Sequence, residues 1–242
     1  MNLVIDAGNT LVKVAIFQVN SLVKVYRFEK ENFLEKISEI LKEFPEVKHA
    51  IVCSVTNFSQ MYIQTLSVFC KVHVLSSSSK IPFINQYKTP ETLGVDRIGL
   101  ITAAYFEYSK KNTLVIDAGT CITYDFITEH GAYLGGAISP GLQMRFKSLH
   151  TFTAKLPLIT SDKFVNYLGN NTETCIASGV VNGVCAEIIE ILRQYSSDFP
   201  DLTVILTGGD HQILSKRLKN GIFANSNFLL LGLNYLLELN KH

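Results

Sequence analysis

One short pattern occurs twice in this chain of 242 residues. Leu3-Val4-Ile5-Asp6-Ala7-Gly8-Asn9-Thr10 returns as Leu114-Val115-Ile116-Asp117-Ala118-Gly119-Thr120-Cys121. Each copy is an apolar run rich in β-formers, then an acid, a glycine and side chains bearing hydroxyl groups. A second alternating run follows each copy, Val12 to Phe17 and Ile122 to Ile127. The pattern predicts a strand, a tight turn and a returning strand with polar groups at the tip. Chance supplies one such hairpin. Two near-identical copies about a hundred residues apart predict two related lobes.

Helical and extended signals fill the intervals. Asn32 and Glu35 are spaced for a capping box, and Phe33, Ile37, Ile40, Leu41 and Phe44 share one face of the helix it would open. Ala50 to Val55 and Val72 to Ser76 read as buried strands, and Ile98 to Tyr108 reads as a helix. A long helix is expected from about Thr174 to Tyr195. Leu202 to Leu206 reads as a strand ending at Thr207-Gly208-Gly209-Asp210. Asn227 to Leu239 reads as an apolar helix that packs against a lobe or a partner. Strands alternating with helices predict an α/β fold. No low-complexity linker separates the halves, so the expected lobes are residues 1–112 and 113–242, hinged near Asn112.

Composition narrows the function classes. Hydrophobic residues make up 47% of the chain, ample for two compact lobes. Lysine plus arginine number 22 against 21 acids, so no basic field marks a nucleic-acid partner. Polar groups or glycine break the longest apolar runs within about a dozen residues, short of a membrane span. The start, Met1-Asn2-Leu3-Val4-Ile5-Asp6, lacks the features of a secretory signal. Cys53, Cys70, Cys121, Cys175 and Cys185 are odd in number and lack metal-like spacing, which suits a reducing cytoplasm. Cys121 at the second hairpin reads as a buried small hydrophobe rather than a reactive thiol.

The repeated turns are the first candidate sites. Gly8 lets backbone approach a phosphate, and the turn amides with Asn9 and Thr10 can donate to its oxygens. Asp6 at a strand end can hold Mg²⁺, directly or through its water shell. Lys13 adds positive charge further along. An ordinary polar turn, with Asp and Asn satisfying backbone, explains one copy equally well. The second copy shifts the balance: Asp117-Ala118-Gly119-Thr120, facing the first across a cleft, would clamp a polyphosphate as phosphoryl transfer requires. Thr207-Gly208-Gly209 can lie against a nucleotide or be a structural turn. Gly135-Gly136-Ala137-Ile138-Ser139-Pro140-Gly141 leads into a helix whose N-terminus favours an anion, or is only a turn.

Asp96 and Arg97 open the helix after Thr89-Pro90-Glu91-Thr92-Leu93-Gly94-Val95. An aspartate there is commonly a helix cap, with Arg97 as its ion-pair partner. The other reading makes Asp96 the acceptor of a substrate hydroxyl proton and Arg97 a carboxylate anchor. No metal spacing among the histidines, no Gly-x-Ser-x-Gly elbow and no Walker-type loop occurs, which disfavours serine hydrolysis and P-loop chemistry.

Together these residues resemble type III pantothenate kinases, within the actin/hexokinase/heat-shock-chaperone superfamily. The hairpins identify the superfamily alone. Gly94-Val95-Asp96-Arg97 after Thr89-Pro90, the Gly135 to Gly141 segment and Thr153-Ala154-Lys155-Leu156-Pro157 are more specific, with support from Thr207 to Asp210. The resemblance spans almost the whole chain. It implies two duplicated ribonuclease H-like lobes with an interlobe cleft, and ATP-dependent phosphorylation of pantothenate, the first step of coenzyme A synthesis. It implies ATP binding by Asp6, Ala7, Gly8, Asn9, Thr10, Leu11, Val12 and Lys13, with Thr120 contributing. It further implies a monovalent cation, potassium or ammonium, at Asp117, and Mg²⁺ with the nucleotide. Tyr87, Gly94, Val95, Asp96, Arg97 and Thr172 would bind pantothenate, and Asp96 would be the catalytic proton acceptor. A homodimer is implied, with neither nucleic acid nor membrane as partner. Cys121 departs from the family, where alanine and similar residues are common. The alternatives are a superfamily kinase for another alcohol or a sugar, and a non-catalytic regulatory relative; the acids that catalysis needs are present.

Overall fold

Buried apolar side chains run through β1 (Asn2–Ala7) and β2 (Leu11–Gln18) in this computed structural model, which describes residues 1–8, 11–54, 59–160, 166–218 and 221–241. The two strands pair antiparallel from Asn2↔Phe17 to Ala7↔Val12. β3 (Ser21–Glu29) continues antiparallel from β2. A 3₁₀ turn at Lys30–Asn32 leads to α1 (Phe33–Glu43), β4 (His49–Ser54), α2 (Gln60–Ser67) and β5 (Lys71–Val74). β4 lies parallel to β1 and β5 parallel to β4, giving the order β3-β2-β1-β4-β5. Then come β6 (Ile84–Asn85), a 3₁₀ turn at Pro90–Thr92 and α3 (Val95–Glu107).

One face of this sheet buries Leu3, Ile5, Val12, Val14 and Ile16 against Phe33, Ile37, Ile40 and Leu41 of α1. Each such side chain contributes about 1.5–3 kcal/mol by leaving water. Phe44 packs on the same cluster, so the apolar face predicted for α1 is present. Its predicted capping box is not. Asn32 ends the 3₁₀ turn at φ −88°, ψ 8°, away from the extended conformation a cap needs, and its side chain makes no capping bond. β5 also differs from expectation. It is an edge strand, so its residues are exposed or half-buried rather than enclosed.

The second sheet repeats this plan. β7 (Thr113–Ala118) and β8 (Cys121–Ile127) are antiparallel, followed by β9 (Ala132–Pro140), α4 (Leu142–Thr151), α5 (Thr172–Asp198), β10 (Thr203–Thr207), α6 (His211–Ser215) and β11 (Ile222–Ala224). β10 is parallel to both β7 and β11, so β9-β8-β7-β10-β11 matches β3-β2-β1-β4-β5 position for position. β6 pairs with the start of β9 at Ala132 and Tyr133. By length and composition α5 is apolar enough to cross a membrane, beyond the apolar runs noted in the sequence. Its apolar residues Ile176, Val180, Val181, Val184 and Ile188 build the second core with Leu114, Ile116 and Leu206.

The last helix, α7 (Phe228–Asn240), packs on α3. A Cβ on Gly232 would stand 1.8 Å from the Gly99 carbonyl oxygen, so the two helices meet backbone to backbone. Asn2 Nδ2 donates to Asn234 Oδ1 at 2.7 Å and to Glu238 Oε1 at 2.6 Å, tying the helix to β1. The compact units are therefore 1–109 with 131–133 and 227–242, and 110–130 with 134–226. A single cut at residue 112 misses this return, because the small residues that seat α7 lie far apart in sequence.

Candidate active site

In the first unit, strand register places the acid. Asp6 stands opposite Lys13 of β2 on one side and Cys53 of β4 on the other. Lys13 Nζ is 4.0 Å from Asp6 Oδ2. Burial pushes the Asp6 carboxyl up to about 6; the Lys13 charge draws it down, and the charge of Asp96 adds to the rise. Burial, with the Asp6 and Asp96 charges, also holds the Cys53 thiol well above its usual range, so it stays neutral. At the turn, the Gly8 N–H donates to Leu11 O at 3.1 Å. Ala7 and Val12 are buried beneath it and Leu11 is exposed. Asn9 and Thr10 lie outside the described residues.

The start of α3 brings the other charged groups. Gly94 is the N-cap, Val95 the first helical residue, and Asp96 Oδ1 accepts the Arg97 N–H at 2.8 Å. The carboxylate thus does serve the helix start, from two positions past the N-cap. It also lies near enough to Asp6 to move its proton affinity. Arg97 is 5% exposed, and its guanidinium sits 5.6 Å from the Tyr87 ring centroid. Tyr87 in turn stacks on the buried Tyr133 at 6.1 Å. Asp6, Lys13, Asp96, Arg97 and Tyr87 therefore belong to one unit, with acids and cations in a partly buried setting.

In the second unit, Asp117 stands opposite Thr123 of β8 and Thr207 of β10. The Gly119 N–H donates to Cys121 O at 2.9 Å, closing the turn that carries Thr120. Two glycine segments converge on it. The Gly141 N–H at the start of α4 donates to Thr120 O at 3.1 Å, and a Cβ on Gly141 would stand 2.1 Å from Gly119 O. Gly208 has φ +93°, and a Cβ there would lie 2.3 Å from Ala118 O and 2.4 Å from Asp117 Oδ1. The Asp210 N–H also donates to Ala118 O, at 2.9 Å. Thr172 is exposed at the first position of α5, after a capping box between Asn171 and Thr174. Cys121 is half-buried rather than enclosed, because the turn lifts it to the rim of the sheet.

Two groups at these sites gave no signal in the sequence reading. Cys53 reaches Asp6 only through the parallel pairing of β1 with β4. Arg145 and Glu187, joined at 2.5 Å, are helical residues far apart in the chain. Among the described residues, no cluster of three or more His, Cys, Asp or Glu side chains is arranged to hold a metal by itself.

Known proteins agree with this architecture. A family profile described as type III pantothenate kinase matches residues 2–194. A type III pantothenate kinase from Christiangramia forsetii is 52% identical over 241 residues, covering 100% of this chain and 99% of the relative. A conserved Baf family protein from Campylobacter jejuni superposes with a TM-score of 0.64 at 20% identity, over 99% of this chain and 98% of that one. An inorganic polyphosphate/ATP-glucomannokinase from Arthrobacter sp. strain KM gives 0.51 at 18% identity, over 99% and 98%. These two structural likenesses speak for the fold alone.

Proposed function

The chain belongs to the type III pantothenate kinase family, and from this we infer that it transfers the γ-phosphoryl group of ATP to pantothenate, forming 4′-phosphopantothenate for coenzyme A synthesis. The observation that carries the chemistry is Asp96, held at the start of α3 beside Arg97 and within electrostatic reach of Asp6.

Asp96 orients the primary hydroxyl of pantothenate and accepts its proton. Phosphoryl transfer passes through a loose transition state, so that proton leaves late. Arg97 binds the pantothenate carboxylate through its planar fork, remote from the reacting oxygen, and raises effective molarity. The stack of Tyr87 on Tyr133 supports that guanidinium. Gly94, Val95 and Thr172 complete the pantothenate contacts. Asp6, Ala7, Gly8, Asn9, Thr10, Leu11, Val12 and Lys13 meet the ATP phosphates, and Thr120 contributes from the second hairpin.

The residues suit cations as well. A carboxyl that burial pushes up to about 6 is one that a bound cation relieves, and Asp6 offers hard oxygens to the water shell of Mg²⁺. Asp117 is the residue for potassium or ammonium. When bound, these ions supply positive charge that offsets the charge on the transferring group. The enzyme acts as a soluble homodimer in the cytoplasm.

Purified protein given ATP, Mg²⁺ and potassium should release ADP with pantothenate, in a coupled assay against a panel of small alcohols and sugars. Turnover of a hexose beside none of pantothenate would overturn the substrate assignment.

A further inference from the structure

The segment Gly135 to Gly141 is held by a clamp that the chemistry above does not use. Arg145 of α4 reaches back along its own N-terminus. Its Nε donates to Pro140 O at 2.8 Å, and its Nη2 donates to Ser139 Oγ at 2.8 Å and to Glu187 Oε2 of α5 at 2.5 Å. The other oxygen of Glu187 accepts from Tyr124 Oη at 2.9 Å. Burial alone would raise the Glu187 carboxyl; hydrogen bonds from Arg145, Ser139 and Tyr124 outweigh it and hold it below its ordinary range. Glu187 is therefore ionised, and the pair with Arg145 is charge-assisted. Their side chains are 23% and 26% exposed, so solvent screens the pair less than an open surface bridge.

What lies next along the chain gives the clamp its consequence. Gly141 directly follows Ser139-Pro140, donates to Thr120 O, and has no room for a Cβ against Gly119 O. Backbone joined by that hydrogen bond and packed too closely for a methyl group has little slack, so a shift of Ser139-Pro140 displaces the Gly119-Thr120 turn. A brace serving only stability could have joined α4 to α5 anywhere along their lengths. This one is fixed to the two residues before the turn contact.

Resting on the reading that Thr120 meets ATP, we propose that Arg145 is a positioning residue for the kinase reaction: anchored by Glu187, it fixes Ser139-Pro140 and, through Gly141, the Gly119-Thr120 turn that receives the nucleotide. Lysine cannot replace it fully, because these bonds leave from two nitrogens of a planar fork, whereas an ammonium offers its three donors from one point.

The test compares Arg145→Met, Arg145→Lys, Glu187→Gln and the Arg145→Met/Glu187→Gln double variant. Steady-state kinetics give KM for each substrate, calorimetric titration gives the ATP Kd, and thermal unfolding reports stability. Arg145→Met should raise both the ATP KM and the ATP Kd about tenfold or more, since small displacements of a binding group cost that much, and leave the pantothenate KM within about twofold. Arg145→Lys should recover part of the loss. The double variant should be no worse than the stronger single one, as residues acting as a unit are not additive. An unchanged ATP Kd beside a lowered melting temperature would overturn the proposal, as would equal rises in both KM values. Should Arg145→Met fail to fold, Glu187→Gln carries the same test with the shape kept. Wild-type protein that binds ATP yet ignores pantothenate would sink the substrate reading alone, because the titration still reads the clamp.

Discussion

The two hairpins share a topology and differ in what they do with it. Asp6 faces Lys13, whereas Asp117 at the matching place faces Thr123. In the first hairpin Ala7 pairs with Val12, and in the second Ala118 pairs with Ile122, so the first turn is one residue longer. The neighbouring strand offers Cys53 to Asp6 and Thr207 to Asp117. Around Asp6 charges gather, with Lys13 and Asp96 both felt by its carboxyl. Around Asp117 backbone gathers, with Gly141 and Gly208 packed where a methyl group does not fit. The first turn is thus set among charges and the second among closely packed backbone. The sheet order is the same in both units, and the residues opposite the acids differ.

The division predicts that charge changes in the first unit act on catalysis and binding, and that none of them disrupts the fold. Asp96→Asn is the largest case. Its Oδ1 is retained to accept the Arg97 N–H, so the helix start persists while the proposed proton acceptor is lost. A fall in kcat of about 10²–10⁴ is expected, with ATP affinity preserved. Rate measurement beside calorimetric ATP binding checks it. Wild-type turnover in this variant would remove Asp96 from catalysis and erase the contrast.

Asp6→Asn should separate stability from function. The folded carboxyl of Asp6 sits at about 6, above its ordinary 3.8, so folding favours the protonated form. The native state then binds more protons than the unfolded one between those values, and stability falls as pH rises through them. The penalty is complete above pH 6, where it amounts to at most about 3 kcal/mol. Asn carries no such penalty. The variant should therefore melt higher than wild type at pH 7 and level with it below about pH 4, while its ATP affinity drops. Equal melting temperatures across that range would show that water already reaches Asp6 freely.

The second unit is broken through shape. Gly208→Ala forces a side chain into φ +93° and against Ala118 O, at a cost of about 2 kcal/mol or more. A Cβ on its neighbour Gly209 meets nothing within 4 Å, so Gly209→Ala is the matched control. Gly8→Ala places its Cβ 3.1 Å from Leu11 O, a tight contact that costs about 1 kcal/mol or less if the turn yields by a few tenths of an ångström. Melting temperatures should order Gly209→Ala, Gly8→Ala, Gly208→Ala from highest to lowest. Reversal of the last two would mean that the first turn, not the second, is the one fixed by backbone fit.

Local pattern revealed the parts of the fold whose cause is local. Both hairpins, the apolar face of α1 and the helix after Gly94 all follow from residues within a turn or two of each other. β3 escaped notice because an edge strand has little to bury; only Phe28 in it is enclosed. β5 was legible as a strand, yet its apolar residues gave no sign that one side lacks a neighbour. The site divides the same way. Asp96 and Arg97 are adjacent in sequence, so one motif names both as candidates. The placement of Cys53 by strand register, of α7 by Gly99 and Gly232, and of Arg145 by Glu187 depends on pairings across the fold. No local residue pattern encodes these.

The smallest effect tests Thr123, which stands in the second hairpin where Lys13 stands in the first. Thr123 Oγ1 is buried and has no hydrogen-bond partner in the structure. An enclosed hydroxyl without a partner loses its hydration and gains nothing in exchange. Thr123→Val removes that burden at nearly constant shape, so it should raise the melting temperature by an amount equivalent to about 1 kcal/mol and leave the rate unchanged. Lys13→Met, its counterpart in the first hairpin, should weaken ATP binding instead. If Thr123→Val lowers the rate, and added potassium changes the size of that loss, the hydroxyl is in use beside Asp117. The second hairpin would then carry chemistry of its own, and the two halves would differ in kind of ligand rather than in whether they hold one.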